Sequence, residues 1–188
     1  MQIQQKHKSS NTFIFLNKVI ATFFGVGFAP WAPGTFGSMC AIPIFLLCFM
    51  LISSPNVYWI LTAIIIFLFI IGIISSHIYE KFSNKHDPRE VVIDEVIGQL
   101  ITLTGIQFIT SSANILNLNL NLNTTHLIII SFILFRFFDI VKPWPISVVN
   151  DHLQGGIGIV LDDVLAAFFS IALFVAINIF IANTKIIN

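Results

Sequence analysis

VYWILTAIIIFLFIIGIISS, Val57 to Ser76, decides the fold. It holds no charged residue. At about 1.5 Å per residue, a helix of this length covers about 30 Å, the hydrocarbon thickness of a bilayer. The stretch reads as a transmembrane helix. Upstream, beyond the Ser-Pro-Asn at 54–56, Gly37–Ser53 is a second apolar span. The two form a hairpin with a tight, uncharged turn. Indeed Val19–Tyr79 contains no Asp, Glu, Lys or Arg at all.

The whole chain agrees with this stretch. Of 188 residues, 56% are hydrophobic and 10% charged, and the mean hydropathy is +0.93. Soluble domains run at about 45–50% apolar and about 25% charged. An integral membrane protein is therefore expected, with one domain over 19–188 after a polar N-terminal segment, 1–18. Zero net charge gives no footing for nucleic acid. Cys40 and Cys48 lie in an apolar run and match neither a zinc spacing nor a persuasive disulfide, so they read as free thiols. Asn17 and Lys18 interrupt the first apolar segment, which is too short for a signal peptide. Residues 1–12 are expected to be mobile and retained, and Phe13–Phe28 to form a helix at the membrane interface.

Charge is confined to few places. Every acidic residue lies in 80–95 or 139–163, and nearly all basic ones lie at the N-terminus or in those windows. The positive-inside rule puts these segments on the cytoplasmic side and the turns near 53–56 and 111–125 outside. The Asn–Leu alternation at 114–123 reads as an outer loop. Val96–Thr110 and His126–Phe135 are short spans, and Val164–Ala182 is a full one. The expectation is an all-α polytopic bundle of about 4–5 apolar helices with polar loops on the cytoplasmic side.

Local signals refine the polar windows. Asp87-Pro88-Arg89-Glu90 reads as a helix start, with Asp87 at the N-cap, Pro88 at N1 and Glu90 reaching back. Asp94 and Glu95 then fall on the second turn, and Gly98 permits a close approach. The Gly- and Pro-rich segment Gly25–Ser38 must break helix, with Thr35 or Ser38 capping the next one. Free backbone N–H groups near Thr35–Ser38 would suit phosphate. Lys142-Pro143-Trp144-Pro145 ends a helix, with Trp144 as an interfacial anchor. Asp162 and Asp163 precede the last apolar helix.

Phe135–Leu165 alone holds Arg136, Asp139, Lys142, Asp151, Asp162 and Asp163. With Asp94 and Glu95 from the other window they make a carboxylate cluster with two cations. Oxygen donors without thiolates or a His-rich spacing suit a hard cation, Mg²⁺ first. Arg and Lys beside them suit phosphate. His77, His86 and His152 read as polar loop residues. No Cys-x5-Arg loop, Asp-x-Asp nucleophile or paired-histidine phosphatase motif occurs, nor an acidic-repeat motif for nucleotide-dependent headgroup transfer. A rival reading is a small transporter or scaffold whose carboxylates are solvated. A transporter should carry charges within its spans, and the long apolar spans carry none.

Four blocks resemble the bacterial phosphatidylglycerophosphatase A family: APGTFGS (Ala32–Ser38), VVIDEVIG (Val91–Gly98), LFRFFDIVKPWPI (Leu134–Ile146) and GGIGIVLDD (Gly155–Asp163). The resemblance runs from about Val19 to Ala182. It implies an all-helical, multi-pass, Mg²⁺-dependent phosphatase of the inner membrane, with its site facing the cytoplasm. Its substrate would be phosphatidylglycerophosphate in the bilayer and its product phosphatidylglycerol, with no nucleotide cofactor. Carried over by position, Asp94, Glu95, Asp139, Asp162 and Asp163 would hold metal, and one carboxylate among Asp94, Glu95, Asp139 and Asp163 would act as base. A metal-bound water would attack phosphorus. Arg136, Lys142, Gly34, Thr35 and Ser38 would hold the phosphate.

Overall fold

The structure, a computed structural model, describes residues 2–112 and 122–187, with side chains over 12–112, 122–149 and 152–184. Most of the Asn–Leu alternation therefore lies outside the described residues, and so does the side chain of Asp151. The described chain is helical without strands. Its elements are α1 (Gln2–Ala21), a 3₁₀ turn (Val26–Phe28), α2 (Pro33–Leu51), α3 (Asn56–Ser83), α4 (Ile93–Ser111), α5 (Thr124–Val141), α6 (Ile146–His152) and α7 (Gly156–Ile187). Four of them, α2, α3, α5 and the Gly156–Thr184 part of α7, are long and apolar enough to cross a membrane.

Helix ends follow local chemistry in several places. Pro33 opens α2 at a position whose N–H would have no intrahelical partner. α3 stops at Asn84, left-handed at φ 53°, a conformation that Asn tolerates. The Asn123 side chain accepts a hydrogen bond from the His126 N–H (2.9 Å) and caps α5. α5 stops at Lys142, left-handed at φ 41°, because Pro143 cannot continue a helix. At 28 residues, α3 is about 42 Å long and overshoots the hydrocarbon layer. Its last turns carry Tyr79, Glu80 and Lys81 beyond the apolar run.

Elsewhere tertiary contacts override local signals. The Asp87–Glu90 stretch does not start a helix. Asp87 has φ 45°, a turn closes by the Val91 N–H to Pro88 carbonyl bond (2.8 Å), and α4 begins only at Ile93. The cause is an anchor from outside: the Val92 N–H donates to the Ala21 carbonyl (3.0 Å), and the Glu90 backbone lies against Gly27. Asp94 and Glu95 thus occupy the first turn of α4, where the helix dipole favours negative charge. Likewise α2 is not capped by Thr35 or Ser38; Ala32 is its N-cap, without a side-chain bond. α1 reaches back to Gln2 rather than starting near Phe13, through Gln and Lys residues that form helix readily.

α4 is the axis of the bundle. It packs against α2, α3, α5 and α7, and its Val96, Ile97, Leu100, Leu103 and Ile106 are fully buried. Lipid tails are as apolar as Leu, so helices associate through close packing and polar contacts rather than water exclusion. Gly98 serves the first of these. A Cβ there would overlap the Phe135 ring and lie 3.0 Å from the Asp163 carbonyl, so α5 and α7 close onto α4 because it is bare. Outward faces carry exposed Phe67, Ile70 and Phe180. Tyr58 and Ser111 are hydrogen-bonded (2.9 Å) and tie the start of α3 to the end of α4. At the opposite end, the starts of α2, α4 and α7 meet the ends of α3 and α5.

Candidate active site

That opposite end gathers the charges. Asp94, Asp139, Asp162 and Asp163 are buried, and Glu95 is nearly so. Their positions come from three helices. Asp94 and Glu95 open α4, Asp139 sits in the last turn of α5, and Asp162 and Asp163 sit in the second turn of α7. The two α7 acids therefore lie inside a helix that starts at Gly156, not before one that starts at Val164. Arg136 and Asp139 also lie within an apolar helix. The helices thus extend past the uncharged runs and carry these charges at their ends.

Asp94, Glu95 and Asp163 converge: one carboxylate oxygen from each lies within 4.8 Å of the others. Asp94 Oδ1, Glu95 Oε2 and Asp163 Oδ2 are buried without a hydrogen-bond partner. Buried carboxylates need compensation, and three converging carboxylates, each with an oxygen to spare, suit a hard divalent cation. Asp139 and Asp162, expected as metal ligands, are engaged differently. Arg136 binds Asp139 and Lys142 binds Asp162. These two acids hold the cations in place.

Arg136 is the hub. Besides Asp139, its Nη1 lies 4.0 Å from Glu95 and donates to Ser38 Oγ (3.4 Å), while its Nε is buried without a partner. The Ser38 hydroxyl in turn donates to the Gly34 carbonyl (2.9 Å). A Cβ on Gly34 would overlap Glu95 Oε1 and lie 3.3 Å from Arg136 Nη1. The first turns of α2 thus reach the site through the Ser38 hydroxyl and the bare Gly34. Thr35 is otherwise engaged: its N–H, like that of Phe36, bonds back to Ala32 (2.9 and 3.3 Å), and its side chain makes no hydrogen bond to the cluster. The Thr35 and Phe36 N–H groups are thus taken up within the turn.

Proton affinities follow the crowding. Burial pushes Glu95 up to about 8, and the charge of Asp163 adds to this while Arg136 opposes it. Asp94 is raised in the same direction by burial and then by Glu95. For Lys142, burial works against the charge, but Asp162 overrides it and the ammonium is held more firmly than usual. Asp87 also acts on Lys142 and on Asp94. Reading Asp87 as a helix cap missed this; its left-handed turn before Pro88 carries it to the site. His86 pairs with Glu80 (2.7 Å) and His77 lies against Gly155, so neither joins the cluster.

What the arrangement offers is a buried trio of oxygen donors beside a cationic fork and an ammonium, which suits a phosphate brought together with a divalent cation. Comparison with known proteins points the same way. The family model of phosphatidylglycerophosphatase A matches residues 19–178. A Bacteroides thetaiotaomicron protein, named provisionally as a phosphatidylinositol-3-phosphatase, is 33% identical over 159 residues, covering 85% of this chain and 91% of the relative. Phosphatidylglycerophosphatase A of Escherichia coli is 33% identical over 153 residues, 81% of this chain and 77% of that one. Its Haemophilus influenzae namesake is 31% identical over 160 residues, 85% and 87%. No solved structure matches significantly. With most of its length matched and all four blocks meeting at one end of the bundle, the chain belongs to the phosphatidylglycerophosphatase A family.

Proposed function

We propose that the protein removes the terminal phosphate of phosphatidylglycerophosphate, giving phosphatidylglycerol and inorganic phosphate. It would do so with Mg²⁺, as a multi-pass enzyme of a bacterial inner membrane with the site at the cytoplasmic face. Family membership supports the phosphatase chemistry. The observation that carries the rest is the convergence of Asp94, Glu95 and Asp163 beside Arg136. Mg²⁺ held by these three would neutralise their charge, polarise the phosphoryl group and activate a water.

The chain's own residues do the remaining work. Arg136, fixed by Asp139, turns its unpartnered Nε to a phosphate oxygen. Lys142, fixed by Asp162, supplies a second positive charge. One carboxylate of the trio takes the proton of the attacking water. The polar pocket needs to admit only the headgroup. A transporter or scaffold has no use for three converging carboxylates at one end of a bundle, each with a buried oxygen that lacks a hydrogen-bond partner.

Phosphate release by the purified protein tests this, with and without Mg²⁺, on phosphatidylglycerophosphate and on phosphatidylinositol 3-phosphate. The former is expected to be the better substrate and to need the metal. Asp94→Asn and Asp163→Asn should each lower kcat/KM by at least about 10²-fold. Undiminished release by both variants would sink the proposal.

A further inference from the structure

The segment between α1 and α2 forms a groove that the phosphate chemistry does not use. Gly25, left-handed at φ 91°, leads into the 3₁₀ turn, and the chain then folds back along α2. Phe28 and Trp31 of this segment, with Phe36, Met39, Cys40 and Pro43 of α2, line an open cavity of about 690 Å³ whose walls carry no charge. That volume falls in the range of about 300–1,000 Å³ typical of ligand sites.

Three observations tie the groove to the carboxylate end. The segment is seated on the residues just before Asp94, through the Val92 to Ala21 hydrogen bond and the contact of Gly27 with Glu90. The first turns of α2 are shared, with Gly34 and Ser38 at the cluster and Phe36, Met39 and Cys40 at the groove. A cation stands at the rim: Lys18 Nζ lies 5.0 Å from the centroid of the Phe28 ring. The apolar slot thus adjoins the cation through Phe28 and the phosphate site through the first turns of α2. A phospholipid with a terminal phosphate has a part for each: acyl chain, bridging phosphodiester, phosphomonoester.

We infer that the groove seats one acyl chain of the lipid whose terminal phosphate enters the carboxylate site, with Lys18 at the rim facing the bridging phosphodiester. The identity of that lipid rests on the phosphatase reading; occupancy of the groove does not require turnover. The groove is a specificity device. It selects for a diacyl substrate over its free headgroup and fixes the headgroup's reach.

The test uses the full chain in phosphatidylcholine vesicles with phosphatidylglycerophosphate carrying a photoreactive diazirine in one acyl chain. Adducts, mapped by peptide mass spectrometry, should concentrate in residues 28–43 about tenfold over the lipid-facing Phe67–Ile74 stretch of α3, and Met39→Trp should abolish the excess. Equal labelling of the two stretches means that lipid merely wets both, and overturns the inference. In turnover, Met39→Trp should lower kcat/KM on the diacyl substrate about tenfold, the factor expected for one or two fewer buried methylenes, and leave the deacylated headgroup unaffected. Equal losses on both substrates also overturn it. Lys18→Gln should raise KM with kcat unchanged. Groove adducts in a wild type that releases no phosphate would refute the phosphatase reading while leaving the groove as a lipid site.

Discussion

Gly34→Ala separates helix stability from site geometry. Gly34 lies in the first turn of α2, where alanine is about 1 kcal/mol the better helix former. Propensity alone predicts a more stable protein with normal activity. The geometry predicts otherwise. The added methyl would overlap Glu95 Oε1, and would sit 2.9 Å from Glu95 Cδ and 3.3 Å from Arg136 Nη1. Carbon atoms rest at about 3.5–4.0 Å, so the Glu95 carboxylate must move by roughly 1 Å. A displacement of about 1 Å in a reacting site costs about 10²-fold in rate. The variant should therefore melt within a few degrees of the wild type in detergent, yet lose about 10²-fold in kcat/KM for phosphate release. Parallel thermal melts and Mg²⁺ titrations check that fold and metal site are compared separately. A Gly34→Ala protein with normal kcat/KM and normal Mg²⁺ requirement would refute the claim that α2 reaches the site through a missing side chain.

Arg136→Lys keeps the charge but loses the fork that spans Asp139, Glu95 and Ser38, and should cost at least about tenfold in kcat/KM, measured on the same substrate. With Glu95 raised to about 8 and Asp94 raised in the same direction, Mg²⁺ bound there would have to displace protons. Affinity should rise with pH towards about 8, with net proton release on binding, which calorimetry in buffers of different ionisation heat measures. Lys142→Gln leaves Asp162 buried and unpaired and should destabilise the fold by about 3 kcal/mol, most of it recovered by adding Asp162→Asn. Because the folded pKa of Lys142 is raised, the contribution of its charge is complete below the unfolded value of about 10.4 and is lost only as pH climbs through the higher folded one, so melts from pH 7 to 9 should show no loss from deprotonation of Lys142.

The membrane helices were legible because a bilayer imposes length and apolarity on the sequence itself. α3 and α7 contain the stretches read as spans and extend beyond them. The family blocks were legible because four short patterns recur in order, and the structure brings all four to one end. What was not legible depended on contacts between distant segments. Asp87-Pro88 carries the local signal of a helix start, but a single hydrogen bond from Val92 to Ala21 moves the start to Ile93. The pairing of the acids was hidden for the same reason. Asp139 and Asp162 look no different in sequence from Asp94 and Asp163, and only the placement of Arg136 and Lys142 distinguishes them. Gly34 read as part of a phosphate loop; its place against Glu95 depends on the register between α2 and α4.

The closing of α5 and α7 onto Gly98 has a consequence for biosynthesis. The trio draws two members from α4 and its third, Asp163, from α7, which is made after α4 and α5. Until α7 has entered the bilayer and come to rest on Gly98, Asp94 and Glu95 face each other without the third carboxylate. A nascent chain released before Gly156 would present them beside Arg136 with neither Asp162 nor Asp163. Competence thus waits for α7, and a chain inserted only as far as α5 carries no third carboxylate with which to complete the site.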